Sequence, residues 1–436
     1  MMREDRKKKR ILIKLDNDAH KSKSIQSPDF SVISLKCQAK HYEWGKKGSS
    51  SFVGQILKDQ GTTIDEDKPY AELWMGTHKS GSSCICGLSP GLDGHSLSDL
   101  FIAFPEFIGD MNIFKKYGHH LPFLFKVLSV GKPLSIQVHP DKTLAGQLFS
   151  SRPEHYPDPN HKPELSIALT AFSALAYFRP HDQIIGFAKK YKKFGQLLGS
   201  ELLNGYENSD KPNRQNWLKK CFASLLTKKP ENIIATIKDL VNQANVDTGD
   251  ETLRLFKQIA DHYPDDVGTF ACFFLNHIQL KPGQAFFIDV NQPHCYLSGD
   301  CIEIMACSDN VIRAGLTPKF KDVELLCETM TYKPKRMEKF LLEPIRNNDF
   351  TWLYSPPVDE FAIEKIEIPK GKSSGSQFPL HRLHSASLLI VIECESGSIN
   401  STALKKSRVY FLPPGLNYSL SGLRGRFLAF RAFIKQ

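Results

Sequence analysis

Gln137 and His139 stand two residues apart in the run 134–142, Leu-Ser-Ile-Gln-Val-His-Pro-Asp-Lys. An extended backbone alternates faces, so these two side chains share one face while Ile136 and Val138 turn to the other. Two polar groups on one face of an apolar strand need partners, and a divalent cation satisfies both together. Two more groups occupy equally suggestive settings: Glu164 in His161-Lys-Pro-Glu-Leu165 and His294 in Asn291-Gln-Pro-His-Cys-Tyr296. The four offer two imidazoles, one carboxylate and one amide oxygen, the donor set of a catalytic metal that keeps a position open for water or substrate. Zn2+ takes mixed nitrogen and oxygen ligands without redox chemistry, so one zinc per chain is expected, although affinity order alone leaves Mn2+, Fe2+ and Co2+ open. Each residue alone has a plainer role as an edge histidine, a turn cap or a loop residue. The shared face of Gln137 and His139 tips the balance.

Short apolar runs separated by Gly, Pro and Ser must carry these residues, and they read as strands over 123–130, 134–138, 285–290 and 301–305. In 281–294 a Pro-Gly turn feeds an apolar strand, and a Pro-containing bend then presents His294, the cupin-like way of placing a ligand at the mouth of a small β-sandwich. Between 183 and 260 apolar residues recur three and four apart, as in Ile233, Ile237, Leu240 and Val241, and Pro230 suits a first helical turn. Strand texture returns over the last hundred residues, at 387–392, 409–415 and 426–431. The expected architecture is mainly β with a helical insertion: two jelly-roll, cupin-like β-sandwiches plus an α-helical domain. The expected divisions are a basic, disordered leader over 1–33, a discontinuous first sandwich over 34–180 and 264–335, the helical insertion over 181–263, and the second sandwich over 336–436.

Composition excludes several classes. At 436 residues the chain exceeds what one core supports, and 41% hydrophobic with 24% charged residues is the balance of an ordinary globular protein. No run of eighteen apolar residues exists, so no membrane span is expected, and the basic start is followed by too short an apolar run for a signal peptide. Ten cysteines lie scattered without zinc-ribbon spacing, which fits reduced thiols and a cytoplasmic location. Half of the net charge of +10 comes from residues 1–25, with nine Lys/Arg against four Asp/Glu. The remainder is nearly balanced, so no nucleic-acid partner is expected. The leader reads as a solvated extension, and the chain as a monomer.

Downstream of His294, segment 296–323 is punctuated by glycine and carries isolated charges, poor packing material but a suitable cleft wall. Arg313, between Ile312 and Ala314, looks like a charge held by a partner, whereas Lys321 reads as a surface lysine. This segment resembles the type I phosphomannose isomerases. So do Tyr42-Glu-Trp-Gly45, the run from Asp67 to His78, residues 121–129, the Gln137 run and Asn160-His-Lys-Pro-Glu164, and the resemblance spans nearly all of 34–436. It implies a zinc site at Gln137, His139, Glu164 and His294, the four residues already reached. It also implies Arg313 as the active-site arginine, with Lys126, Lys162, Tyr296 and Lys319 as cleft residues near a hexose 6-phosphate. The implied reaction interconverts mannose 6-phosphate and fructose 6-phosphate through a cis-enediolate, supplying mannose for GDP-mannose and glycosylation. A base must move the proton between C1 and C2; Lys162 is attractive, while His161 and Asp309 stay open, the latter also as a substrate contact. Tyr177 stands where relatives often have Gly, which leaves the local backbone geometry open. The competing classes are an iron-dependent dioxygenase on the same fold and a sugar-phosphate binding protein without turnover.

Overall fold

Which way alternate strand residues face decides every layer of this protein. The computed structural model describes residues 31–87, 92–210, 212–247, 249–372 and 376–435, so residues 1–30 of the basic leader lie outside the described residues. The first half supplies β1 (Ile33–Lys36), β2 (Gln38–Lys40), β3 (Glu72–Met75), β4 (Cys84–Ile85), β5 (Phe123–Val130), β6 (Ile136–Val138), β7 (Glu164–Ala168) and β8 (Phe172–Phe178). After a block of helices come β9 (Leu275–Leu280), β10 (Ala285–Ile288), β11 (His294–Ala306) and β12 (Ile312–Gly315).

β11 organises the first sandwich because its 13 residues serve two layers. Its first residues pair with β6 and β8, and Gly299–Ala306 pair with β5, with β7 alongside. At the corner the register slips between Tyr296 and Ser298, and Gly299 takes φ +111°. A Cβ there would stand 2.4 Å from the Ala171 carbonyl oxygen, so only glycine makes this turn. One layer therefore runs β10-β7-β11-β5-β3-β2 and the facing layer β9-β8-β11-β6-β12. Between them pack Leu128, Phe286 and Ile288 from the first and Ala174, Ile278 and Leu280 from the second.

The outer face of the second layer is covered by helices. Ile136, Val138, Ile312 and Ala314 join Phe222, Ile237, Leu253 and Phe256 in one apolar cluster. The helices His181–Lys190, Lys192–Leu198, Ser200–Asn208, Arg214–Leu226, Pro230–Val246 and Glu251–His262 form where the apolar residues recur at helical spacing. Pro230 takes the first position of its helix, where no N–H is missed.

The C-terminal part adds β13 (Ile345–Arg346), β14 (Thr351–Tyr354), β15 (Ala362–Ile368), β16 (Phe378–Pro379), β17 (Ser387–Glu393), β18 (Ser396–Ile399), β19 (Thr402–Ala403), β20 (Val409–Leu412), β21 (Ser419–Arg424) and β22 (Phe427–Phe433). They form an eight-stranded layer, β13-β14-β15-β22-β17-β20-β1-β4, and a four-stranded one, β16-β21-β18-β19. β1 and β4 thus leave the 34–180 unit and extend the C-terminal sheet, with Leu35 opposite Val409. The reason lies in their burial: Ile33, Leu35 and Ile85 face the seam between the two sandwiches. There Val127, Leu165, Ile302 and Ile304 of the first sandwich meet Ile363, Leu388, Ile390, Phe411 and Phe430 of the second, back to back. The architecture is mainly β with a helical insertion. Among the described residues no helix is long and apolar enough to cross a membrane.

Candidate metal centre and substrate cleft

β6 lies between β11 and β12, with Gln137 opposite His294 on one side and Arg313 on the other. Directly opposed residues present their side chains to the same face, so His294, Gln137 and Arg313 form a row. Ile136 and Val138 point the opposite way, into the helical core. His139 follows just beyond the strand, and Glu164 opens β7 on the facing layer. The ligand atoms of His139, Glu164 and His294 all lie within 4.8 Å of one another.

The hydrogen bonds fix what these groups offer. His139 Nδ1 lies 2.9 Å from the Asn310 carbonyl oxygen and His294 Nδ1 lies 3.0 Å from that of Gln292. A ring nitrogen facing a carbonyl must be the donor, so each Nε2 carries a lone pair. Both Nε2 atoms are buried without a hydrogen-bond donor. They stand 3.1 and 3.5 Å from the two oxygens of Glu164. Acceptors converging on acceptors in a buried pocket require a cation between them. Burial, and then the charge of Lys162, push the His139 pKa down to about 3, so the imidazole is neutral as a metal ligand must be. Burial alone would raise the Glu164 pKa, but His139 and Lys162 outweigh it and hold the carboxyl well below its usual range. A neutral His139 beside an ionised Glu164, with His294 across from them, fits a divalent metal, and Gln137 lies opposite His294 in register.

Above the triad opens a cavity of about 640 Å³. Gln137, Glu164, Lys162, Lys126, Tyr296, Asp309, Arg313 and Lys319 all line it, while His139 and His294 lie beneath. Lys162 Nζ is 3.4 Å from Glu164 Oε1. The Tyr296 hydroxyl is 2.7 Å from Ser166 Oγ and 3.3 Å from Glu164 Oε2, so it orients the carboxylate, and burial raises its pKa and keeps its proton on. Lys126 is fully enclosed by carboxylates: it pairs with Glu303 directly across the strands and lies 3.9 Å from Glu72. Burial works against its charge, yet Glu303, Glu72 and Glu164 overcome this and raise its pKa. Asp309 is held by His78 at 3.3 Å, the contact that chiefly lowers its pKa.

Arg313 departs from expectation. It makes no ion pair among the described residues, and its Nη1 reaches only the Val311 carbonyl at 3.4 Å. Burial lowers its pKa accordingly. Lys319, exposed at the rim, sits 5.3 Å over the Tyr42 ring and likewise makes no ion pair among the described residues. Partial desolvation, followed by repulsion from Arg313, lowers its pKa. Two cations left without a carboxylate on one cavity wall form a site for an anion.

His161 does not line the cavity. Its Nε2 is 2.8 Å from Glu360 Oε1, a carboxylate that arrives from the loop between β14 and β15 and also meets Lys142 at 3.2 Å. Burial would raise the Glu360 pKa, but His161 and Lys142 bring it down to about 2. Glu303 and Glu72 were not singled out from the sequence, although both line the cavity. The signal was there: Glu72 opens an apolar strand, and Glu303 stands between two isoleucines in another. Tyr177, at the position often glycine in relatives, has φ +55°. Its hydroxyl donates to the Phe287 carbonyl at 3.1 Å and its ring stacks on Phe340 at 4.6 Å, contacts that hold this left-handed backbone next to the His294 turn.

Known proteins share both the sequence and this architecture. Family models for the type I phosphomannose isomerase catalytic domain and helical insertion domain match residues 32–181 and 194–275. The mannose-6-phosphate isomerases of Mus musculus and Homo sapiens are each 42% identical over 375 residues, covering 83% of this chain and 87% of theirs. A solved zinc-bound mannose 6-phosphate isomerase superposes with a TM-score of 0.79 at 30% identity, covering 93% of this chain and all (100%) of that one. The Salmonella typhimurium enzyme bound to fructose 6-phosphate and zinc does so with a TM-score of 0.78 at the same 30% identity and the same 93% and 100% coverage. With two domain models matched in order and relatives aligned along most of its length, the chain belongs to the type I phosphomannose isomerase family.

Proposed function

We propose that this protein is a zinc-dependent mannose-6-phosphate isomerase, and the observation that carries the reading is a buried His-Glu-His triad facing the same cavity as two unneutralised cations. His139, Glu164 and His294 hold the zinc, with Gln137 as the fourth ligand. When bound, the metal supplies a Lewis acid that stabilises negative charge on the sugar oxygens O1 and O2. Arg313, directly opposite Gln137 on the neighbouring strand, and Lys319 at the rim hold the phosphate of the hexose 6-phosphate. Fixing the inert phosphate orients the reactive end, so this binding serves turnover as well as affinity.

Lys162, in the fraction that has given up its own proton, would take the proton from C2 of the aldose and return it to C1 by way of a cis-enediolate, while the O2 hydroxyl proton passes to O1. It is buried, lines the cavity and lies within 3.4 Å of Glu164. His161 is engaged by Glu360 instead, and Asp309 by His78. Run from the ketose, the same steps in reverse would yield mannose 6-phosphate to feed GDP-mannose formation and glycosylation. Chelating the purified protein and restoring single metals tests the reading: the metal-free protein should lose hexose 6-phosphate isomerisation and zinc should restore it. Full activity without metal, or no interconversion with any metal, would refute it. Oxygen consumption with Fe2+ would point to the dioxygenase class instead.

Glu360 makes a further expectation accessible. Glu360→Ala removes the anchor of His161, whose neighbour is Lys162, and should lower kcat about tenfold through misplacement of that loop. Zinc content measured alongside should stay at one per chain. An unchanged kcat would show that the loop holds itself.

A further inference from the structure

The two sandwiches stand back to back, and each carries on the far side of its sheet a cross-strand ion pair buried beside a cavity. In the first the pair is Lys126 and Glu303, opposed on β5 and β11. In the second it is Glu364 and Arg431, opposed on β15 and β22. The residues flanking them, Ile302 and Ile304 in one sheet and Ile363 and Ala432 in the other, all point into the shared seam. Strand alternation therefore turns both ion pairs away from it, toward the interiors of their own sandwiches. Lys126 and Glu303 line the substrate cleft, whereas Glu364 lines a separate cavity of about 230 Å³ in the C-terminal sandwich.

The isomerase chemistry has no use for the second pair. Glu364 and Arg431 are 2% and 1% exposed, and their closest charged atoms are 4.0 Å apart, beyond hydrogen-bond reach. The guanidinium spends its bonds on Ser387 Oγ at 2.9 Å and the His381 carbonyl at 2.8 Å. Asn347, on the same cavity lining, bonds to the Glu364 carboxyl, but Oε2 is left buried without a donor, and burial raises the pKa of the group, a costly state for a carboxylate. Leu353, Leu383 and Phe433 give the cavity apolar walls, and Lys435 and the exposed His381 stand on its lining.

These features narrow the ligand. The orphaned carboxylate oxygen calls for a hydrogen-bond donor, while Arg431 and Lys435 nearby oppose a cation, which leaves a hydroxyl. Apolar walls suit the C–H faces of a polyol. The volume falls below the ~300 Å³ at which ordinary ligand pockets begin, so the occupant is no larger than a monosaccharide. We propose that this cavity is a second, non-catalytic binding site for a small polyol, one of whose hydroxyls donates to Glu364.

Calorimetric titration of the zinc-loaded full-length protein with D-mannitol and with D-mannitol 1-phosphate tests this, since neither has a carbonyl to isomerise. D-mannitol should bind at one site that survives Arg313→Ala. Binding should weaken about tenfold or more in Glu364→Gln, which removes the charged acceptor, and in Ser355→Trp, which fills the cavity from a half-buried loop position. Retained isomerase turnover in these two variants separates loss of the site from loss of the fold, and Ser355→Trp carries the test if Glu364→Gln does not fold. Tighter binding of the phosphate ester at this site identifies the phosphorylated polyol as occupant, through Lys435; weaker binding identifies the neutral one. The proposal falls if neither compound gives saturable heat, or if binding vanishes in Arg313→Ala and ignores both cavity variants.

Discussion

The Arg313→Ala protein is expected to lose about 10²–10³-fold in kcat while its zinc content and melting temperature stay at wild-type values. Most buried charges resist such a separation, because removing them strands a partner. Among the described residues Arg313 has no such partner: its one side-chain bond there is to the Val311 carbonyl, and burial already disfavours its charge. Its deletion also relieves the repulsion that depresses Lys319. What is lost is the fixed cation beside Gln137, and with it the interaction that holds the anionic substrate as charge develops. Arg313→Lys keeps the charge but not the fork, and should fall between the two. Steady-state kinetics with metal analysis and calorimetry on the same preparations decide the matter, and near-normal turnover by Arg313→Ala would end the assigned role.

Lys126→Met should behave in the opposite way, failing in stability first. Lys126 is the cation among Glu303, Glu72 and Glu164, all of them buried. Deleting it leaves uncompensated carboxylates in low dielectric, a loss of about 3–5 kcal/mol at neutral pH. The sign of the pH dependence follows from Glu303, whose pKa is raised by burial even with Lys126 opposing. An acid with a folded pKa above its unfolded value destabilises the fold when ionised. The deficit should therefore be greatest above that raised pKa and shrink as pH falls through it. Adding Glu303→Gln to Lys126→Met should recover much of the loss at neutral pH, and denaturant unfolding of the four proteins in the cycle measures the coupling. A single-variant cost below about 1 kcal/mol would contradict the electrostatic account.

The triad was legible because local rules suffice for it. Alternation in a three-residue strand put Gln137 and His139 on one side and Ile136 and Val138 on the other, and the helical insertion announced itself through its apolar spacing. Arg313 was found, but its missing carboxylate was not, since a sequence shows which residues are charged and not which are close. The same blindness hid Glu360 as the anchor of His161, two residues 199 positions apart. The affiliation of β1 was hidden for a related reason. Ile33 and Leu35 declare a buried face, yet nothing local distinguishes the C-terminal sheet from the nearer one. Glu303 and Glu72 were missed without that excuse, because each is a carboxylate with large apolar neighbours in a buried strand.

β22 is made after both β15 and β17, yet it occupies the middle of their sheet, between them. β1, made first, must wait for β20 before it has an edge to join. Throughout translation the apolar backs of β5, β7 and β11 therefore lie open, at about 1.5–3 kcal/mol for each large side chain left in water. That exposure makes a chain still lacking β22 prone to aggregation. A stop codon just before Phe427 would remove only residues 427–436, the seven of β22 among them, and leave the wall behind the metal triad without support.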